Sequence, residues 1–281
     1  MNTQMPLAGT LVISDMDRAL LTPEGDLPPV TRAALERFCA LGGSFTVATR
    51  RGPASAERLL ARLPVNAPVI LLDGGLILDH RRSLTLNAHY LPRGRALALL
   101  GQLRQAFPAL GFVLLAENRQ LYVLKATAAV EQFRCRAGAA AVWADAEKVP
   151  GRWLRVLAIG PAVQCRAAQR FGRRFAVQKE LAFARTPDGF LEILPPQVDR
   201  GTALRSLCRM QGIPQQAAAA IGGTAQDRAL LKAAGFAAAV GNAPLRVQCC
   251  ADLVTGRCEN GGAAQFLFAL MQYRTERGKK E

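Results

Sequence analysis

Aromatic residues are scarce in this 281-residue chain, at 6%. Without them there is no interleaved basic and aromatic surface of the kind that stacks single-stranded nucleic acid. Histidine is scarcer still, with only His80 and His89. The seven cysteines are scattered, apart from the neighbours Cys249 and Cys250, and none has paired metal-ligand spacing. That argues against a zinc site and against a disulfide framework, and the thiols read as reduced and mostly buried. No apolar run reaches the length of a membrane span. Residues 1–6 lack the basic start and apolar stretch of a signal peptide. A cytoplasmic protein is the simplest expectation.

What is present is ordinary globular material. Half the residues are apolar and 20% are charged, enough for a sizeable core in one or two domains. The net charge of +15 is carried mostly by arginine. Such a balance suits nucleic acid or phosphorylated substrates. The arginines are spread along the chain, however, so a general arginine-rich composition is favoured over a nucleic-acid surface.

One stretch organises the rest: Leu11-Val12-Ile13-Ser14-Asp15-Met16-Asp17-Arg18-Ala19-Leu20-Leu21-Thr22. A short apolar run ending in a polar turn reads as a buried parallel strand. Ligands of open α/β sheets bind beyond the carboxyl ends of such strands, which places Asp15 and Asp17 where chemistry is done. One carboxylate of such a pair can act as nucleophile and the other as proton donor and acceptor.

Around it, strands are expected at 10–15, 44–48 and 69–72. Helices are expected at about 28–41 and 53–63, an alternation typical of a doubly wound parallel sheet. From about Asp79 the texture changes. Phe112–Glu117 and Leu121–Ala126 flank Asn118-Arg119-Gln120 as a β-hairpin. Further strands are expected at Arg155–Ile159, Phe175–Lys179 and Leu181–Arg185, with helices near 93–106, 127–137 and 161–172. Residues 80–187 read as an inserted α+β domain, and residues 1–79 and 188–281 as the core. From Leu191-Glu192-Ile193-Leu194 the chain is expected to return to the core. There it supplies a helix near Thr202, strands at 217–221 and 236–240, and helices at 227–234 and 265–273. The charged tail from Arg274 reads as frayed.

Four motifs stand in order along this frame. They are Asp15-Met16-Asp17; Phe45-Thr46-Val47-Ala48-Thr49; Arg200-Gly201-Thr202-Ala203-Leu204; and Ala220-Ile221-Gly222-Gly223-Thr224-Ala225-Gln226-Asp227. Val240-Gly241-Asn242-Ala243 and Glu259-Asn260-Gly261-Gly262 follow. Over nearly its whole length the chain resembles a haloacid-dehalogenase-superfamily phosphatase of the Cof type. The resemblance implies a parallel-sheet core and an inserted cap that covers the active site and selects the substrate. It implies a small phosphorylated metabolite as partner, hydrolysed through an aspartyl phosphate. Carried over by position, Asp15 is the nucleophile and Asp17 the acid and base. Thr49, Arg200 and Asn242 bind the phosphoryl group. Asp15, Asp17 (through its backbone carbonyl) and Asp227 hold Mg²⁺.

The motifs also depart from the family's pattern. Arg18-Ala19 stands for Gly-Thr, Arg50 for the Gly of Thr-Gly-Arg, Arg200 for Lys, and Gly223 for an acidic metal ligand. Asp73 stands for an Asn and reads as a turn residue before Gly74. Losing a carboxylate and gaining arginines weakens Mg²⁺ binding. Two consequences stay open: the added cations partly replace the metal's charge, or they lock the nucleophile in a salt bridge. The alternative to an active phosphatase is a catalytically inactive relative that binds a phosphorylated ligand or a partner.

Overall fold

The computed structural model describes residues 5–138, 140–176, 180–186 and 188–277. In chain order it begins with β1 (Leu11–Asp15), α1 (Pro29–Ala40), β2 (Ser44–Ala48), α2 (Pro53–Leu60), β3 (Val69–Leu71), β4 (Leu76–Asp79) and β5 (Leu84–Ala88). Next come α3 (Arg93–Ala106), β6 (Gly111–Ala116), β7 (Leu121–Lys125), α4 (Ala128–Ala137), β8 (Ala141–Trp143), β9 (Trp153–Ile159), α5 (Ala162–Phe175), β10 (Ala182–Arg185) and β11 (Leu191–Leu194). The chain closes with α6 (Arg200–Gln211), β12 (Ala218–Gly222), α7 (Arg228–Ala233), β13 (Phe236–Ala239), α8 (Leu245–Gln248), β14 (Leu253–Val254) and α9 (Gly262–Arg277).

Two compact units result. One comprises Met1–Gly52, Ala56–Asn87 and Asp199–Glu281; the other comprises Pro53–Ser55 and Ala88–Val198. The first is an α/β core around an eight-stranded sheet of order β14-β13-β12-β1-β2-β3-β4-β5. Its strands run parallel from β14 to β3, and β4 turns back antiparallel to β3. β1 sits in the middle because all five of its residues are buried, as a strand covered on both faces requires. Successive strands run outward from β1 to β3 on one side and from β12 to β14 on the other, so strand order reverses between β1 and β12. The loops leaving the carboxyl ends at such a switch point form a crevice.

The second unit is an α+β layer on a six-stranded sheet of order β10-β11-β9-β6-β7-β8. It is antiparallel except where β7 meets β8. Both faces of this sheet are covered. Phe112, Leu114 and Trp153 pack in one cluster with Leu99 and Leu103 of α3 and Cys165 of α5. Val113, Val123 and Leu157 pack on the other with Val130 of α4. Odd and even residues of β6 thus both find apolar partners, which is why that strand reads as a continuous apolar run.

The structure corrects the sequence reading in places. Leu191–Leu194 does not rejoin the parallel core: it lies between β10 and β9, antiparallel to both. Leu84–Ala88, within the stretch expected in the insert, stays with the first sheet as β5. Of the strand expected at Phe175–Lys179, Phe175 ends α5 and 177–179 fall outside the described residues. The helix expected from Thr202 starts at Arg200, where the Asp199 side chain caps it by accepting the Thr202 N–H at 2.8 Å. Past Arg274 the chain stays helical to Arg277, and 278–281 lie outside the described residues.

Candidate active site

Every loop of interest leaves the carboxyl end of a parallel strand. Asp15 is the last residue of β1, Thr49 follows β2, Asp73 follows β3, and Gly223 follows β12. Arg200 opens α6, and Gly201 beside it lies so close to the Ala229 carbonyl that no Cβ would fit. That close approach keeps α6 against α7 and aims Arg200 inward.

Arg200 is the hub. Its side chain is 2% exposed, and three carboxylates hold it. Nη1 donates to Asp15 Oδ1 at 2.6 Å and also to Asp227 Oδ1, while Nε donates to Asp73 Oδ1 at 2.7 Å. Burial works against the guanidinium charge, but the Asp15, Asp227 and Asp73 charges outweigh it and hold the proton more firmly than usual. Burial pushes the Asp15 carboxyl well above the usual carboxylate range, and the Asp227 charge adds to this; Arg200 pulls the other way. The second oxygen of Asp15, Oδ2, is buried with no hydrogen-bond partner among the described residues.

Asp227 spends both its oxygens on structure. Oδ1 accepts from Arg200, and Oδ2 accepts the Gly223 N–H at 2.9 Å, the Thr224 N–H at 2.7 Å and the Thr224 hydroxyl at 2.8 Å. With Thr224 it forms a reciprocal cap on the turn that leads into α7.

Asp17 is different. Its side chain is 34% exposed and is gripped by Arg51, whose Nη2 donates to Oδ1 at 2.8 Å and whose Nε donates to Oδ2 at 3.1 Å. That hydrogen bonding raises the Arg51 pKa, against its partial burial. Thr49 is buried, and its Oγ1 accepts the Arg51 N–H at 3.2 Å, leaving its own O–H to donate. Asn242 is exposed, and its Oδ1 accepts the Cys258 N–H at 3.2 Å, fixing the turn before α9.

The backbone is strained in the loops that leave β1 and β3. Arg18, Leu72 and Asp73 adopt φ of 71°, 56° and 54°. A side chain in this region costs on the order of 1–3 kcal/mol, which its surroundings must repay. Asp73 is therefore a turn residue, as expected, and a partner of Arg200 as well. Backbone bonds from Leu72 N–H to Arg51 O at 3.2 Å and from Asp73 N–H to Thr49 O at 3.1 Å hold the turn.

Comparison with known proteins agrees with this architecture. A family profile described as haloacid dehalogenase-like hydrolase matches residues 12–267. The chain belongs to that family. It is 25% identical over 268 residues to the pyridoxal phosphate phosphatase YbhA of Escherichia coli, covering 92% of this chain and 97% of the relative. It is 27% identical over 263 residues to an HMP-PP phosphatase of Serratia proteamaculans, covering 92% and 93%. In fold it is similar to a haloacid dehalogenase-like hydrolase of Bacteroides thetaiotaomicron, with a TM-score of 0.81 at 19% identity over 93% of this chain and 99% of the other.

Phosphatases of this superfamily generally use Mg²⁺, and the side chains here are a poor fit for that ion. Gly223 brings no carboxylate, and Asp227 has both oxygens engaged. Among the described residues no three His, Cys, Asp or Glu side chains group as a metal site needs. Asp15 Oδ2 has no partner among the described residues but is buried, and the Arg200 guanidinium on Oδ1 repels a second cation. Arg51 and Thr224 had been passed over in the sequence. The signal for Arg51 was its retention as the third residue of the Thr-x-Arg motif, next to the more conspicuous Arg50.

Proposed function

We propose that this protein is a phosphatase that hydrolyses a small phosphorylated metabolite through an aspartyl phosphate on Asp15. The observation that carries this reading is the state of Asp15: one oxygen is fixed by Arg200, and the other is buried with no partner among the described residues. A carboxylate held at one oxygen presents the other in a fixed direction, as a nucleophile requires. In the first half, Asp15 Oδ2 bonds to phosphorus as the ester P–O bond breaks, and the leaving oxygen takes a proton from the Asp17 carboxyl. In the second half, Asp17 takes a proton from water, the water oxygen bonds to phosphorus, and the bond to Asp15 breaks. Inorganic phosphate leaves and both carboxyl groups return to their starting states.

Arg200 offsets the negative charge that gathers at Asp15, and the Thr49 hydroxyl donates to a phosphoryl oxygen. For its acid role Asp17 must be free to reach the leaving oxygen, and in the resting site Arg51 holds both its oxygens. An incoming phosphate dianion competes for that guanidinium, and its arrival frees Asp17. The inserted unit is assigned the role of cap, selecting the substrate. The named activities of the two long relatives make pyridoxal phosphate the first metabolite to test. Cytoplasmic residence is supported by the seven cysteines, all of them free thiols.

The test is release of inorganic phosphate from an aryl phosphate and from pyridoxal phosphate by the purified chain. Turnover that disappears in Asp15→Asn supports the reading. Wild type and Asp15→Asn releasing phosphate at the same background rate would refute it.

A further inference from the structure

Four of the chain's departures from the family pattern touch one another in two pairs. The first pair is Arg18 with Gly223. A Cβ on Gly223 would lie 2.6 Å from the Arg18 carbonyl oxygen, 3.1 Å from its carbonyl carbon and 3.0 Å from Val240 Cγ2. The obstruction is backbone, which cannot rotate aside as the end of a side chain can. It belongs to a residue in the left-handed region, at φ 71°. The second pair is Asp73 with Arg200. An ammonium group offers one compact charge, whereas a guanidinium has separate donor edges. Here the Nη1 edge serves Asp15 and Asp227, and the Nε edge needs an acceptor of its own, which Asp73 provides at 2.7 Å. A carboxylate makes that bond charge-assisted, where an Asn would leave it neutral.

We infer that these two pairs close the nucleophile's pocket to a resident divalent cation, and that the standing cation beside Asp15 is the Arg200 guanidinium, positioned by Asp73. The first pair removes a metal ligand and fills the space its side chain would start from. The second pair ties up Asp15 Oδ1, Asp73 Oδ1 and Asp227 Oδ1 on one buried fork. The inference takes Asp15 as the reactive carboxylate, as the proposed function does. Its test reads metal binding, so the two can fail separately: an inactive chain that binds no metal sinks the phosphatase reading alone, and an active chain that binds metal at Asp15 sinks this one alone.

The experiment is titration of the purified full-length chain with Mn²⁺, followed by electron paramagnetic resonance, with Asp15→Asn as the control for adventitious sites. The wild type should show no Asp15-dependent binding tighter than about 1 mM. Gly223→Asp alone should gain none, because its Cβ meets the Arg18 carbonyl. Arg200→Met, which removes the standing cation and releases Asp15 Oδ1, Asp73 Oδ1 and Asp227 Oδ1, should bind at least about tenfold more tightly than wild type, about 1.4 kcal/mol. Wild-type binding below that threshold that vanishes in Asp15→Asn overturns the inference. So does a single Gly223→Asp that binds about tenfold more tightly than wild type, or a folded Arg200→Met variant, checked by circular dichroism, that gains nothing. If Arg200→Met does not fold, the wild-type titration against Asp15→Asn still decides. For the positioning role, Arg200→Lys should lower the thermal midpoint, and adding Asp73→Asn to it should recover much of the loss. An Asp73→Asn change that deepens the loss overturns that half.

Discussion

The site contains two ion-pair systems on neighbouring strand ends, and they are built to opposite specifications. Arg200 with Asp15, Asp73 and Asp227 is sealed, its guanidinium 2% exposed. Arg51 with Asp17 is open to solvent, at 38% and 34%. A sealed pair is costly to break, because the partner left behind stays desolvated; an open pair is cheap, because water and salt replace it. The difference assigns fixed and movable parts. Asp15 is held in place throughout, whereas Asp17 can exchange its partner when an anion arrives.

The contrast can be broken most severely at Asp15, where Asn should reduce phosphate release to background while leaving the chain folded, read by a phosphate assay beside circular dichroism. Next comes Arg200→Met, which strands three carboxylates and should cost about 3–5 kcal/mol in urea unfolding at neutral pH. That deficit should shrink in acid as the stranded groups take up protons. A third test concerns pH. The Asp15 carboxyl is held above the usual carboxylate range by burial and by Asp227. In the proposed mechanism the ionised form attacks, so the acid limb of the rate profile should lie above that range. Asp227→Asn removes one of the raising influences and should move the limb toward acid. The same sign governs stability: ionised Asp15 is disfavoured in the fold, so its contribution is fullest below its unfolded pKa and is lost as pH rises through the folded one. The mildest change is Arg51→Ala, which should cost less than about 1 kcal/mol of stability. Its effect should appear in KM for the phosphate ester, and equal losses of stability from Arg51→Ala and Arg200→Met would erase the distinction between the two systems.

Much of this was readable in the chain itself. The buried run ending at Asp15, the Pro and Gly punctuation of α1, and the hairpin around Asn118-Arg119-Gln120 all follow local rules. The alanine-rich β12 and β13 were legible as well, as short apolar runs followed within a residue or two by glycine. Leu191–Leu194 misled because a strand covered on both faces reads the same in either sheet. Its clue was Glu192, buried at 4% inside an apolar run and needing a counter-ion. Arg155 on neighbouring β9 supplies it at 2.9 Å. The site was legible as a set of positions and not as a set of pairings. Nothing local ties Arg200 to Asp73, 127 residues earlier, or says that Asp227 would spend both its oxygens on the turn after β12. Such partners are chosen by the sheet's topology, which brings distant strand ends together.

That topology also sets a timetable. Asp15 and its counter-ion Arg200 are separated by 185 residues of chain. At about 5–20 residues per second, a ribosome takes on the order of 10–40 s to deliver the second after the first. For most of that interval β1 has β2 available on one side and no β12 on the other, and the nascent chain carries an apolar strand edge with an uncompensated aspartate at its tip. A carboxylate at the end of an unpaired strand discourages the edge-to-edge association that such a strand invites, so Asp15 has a use before Arg200 exists.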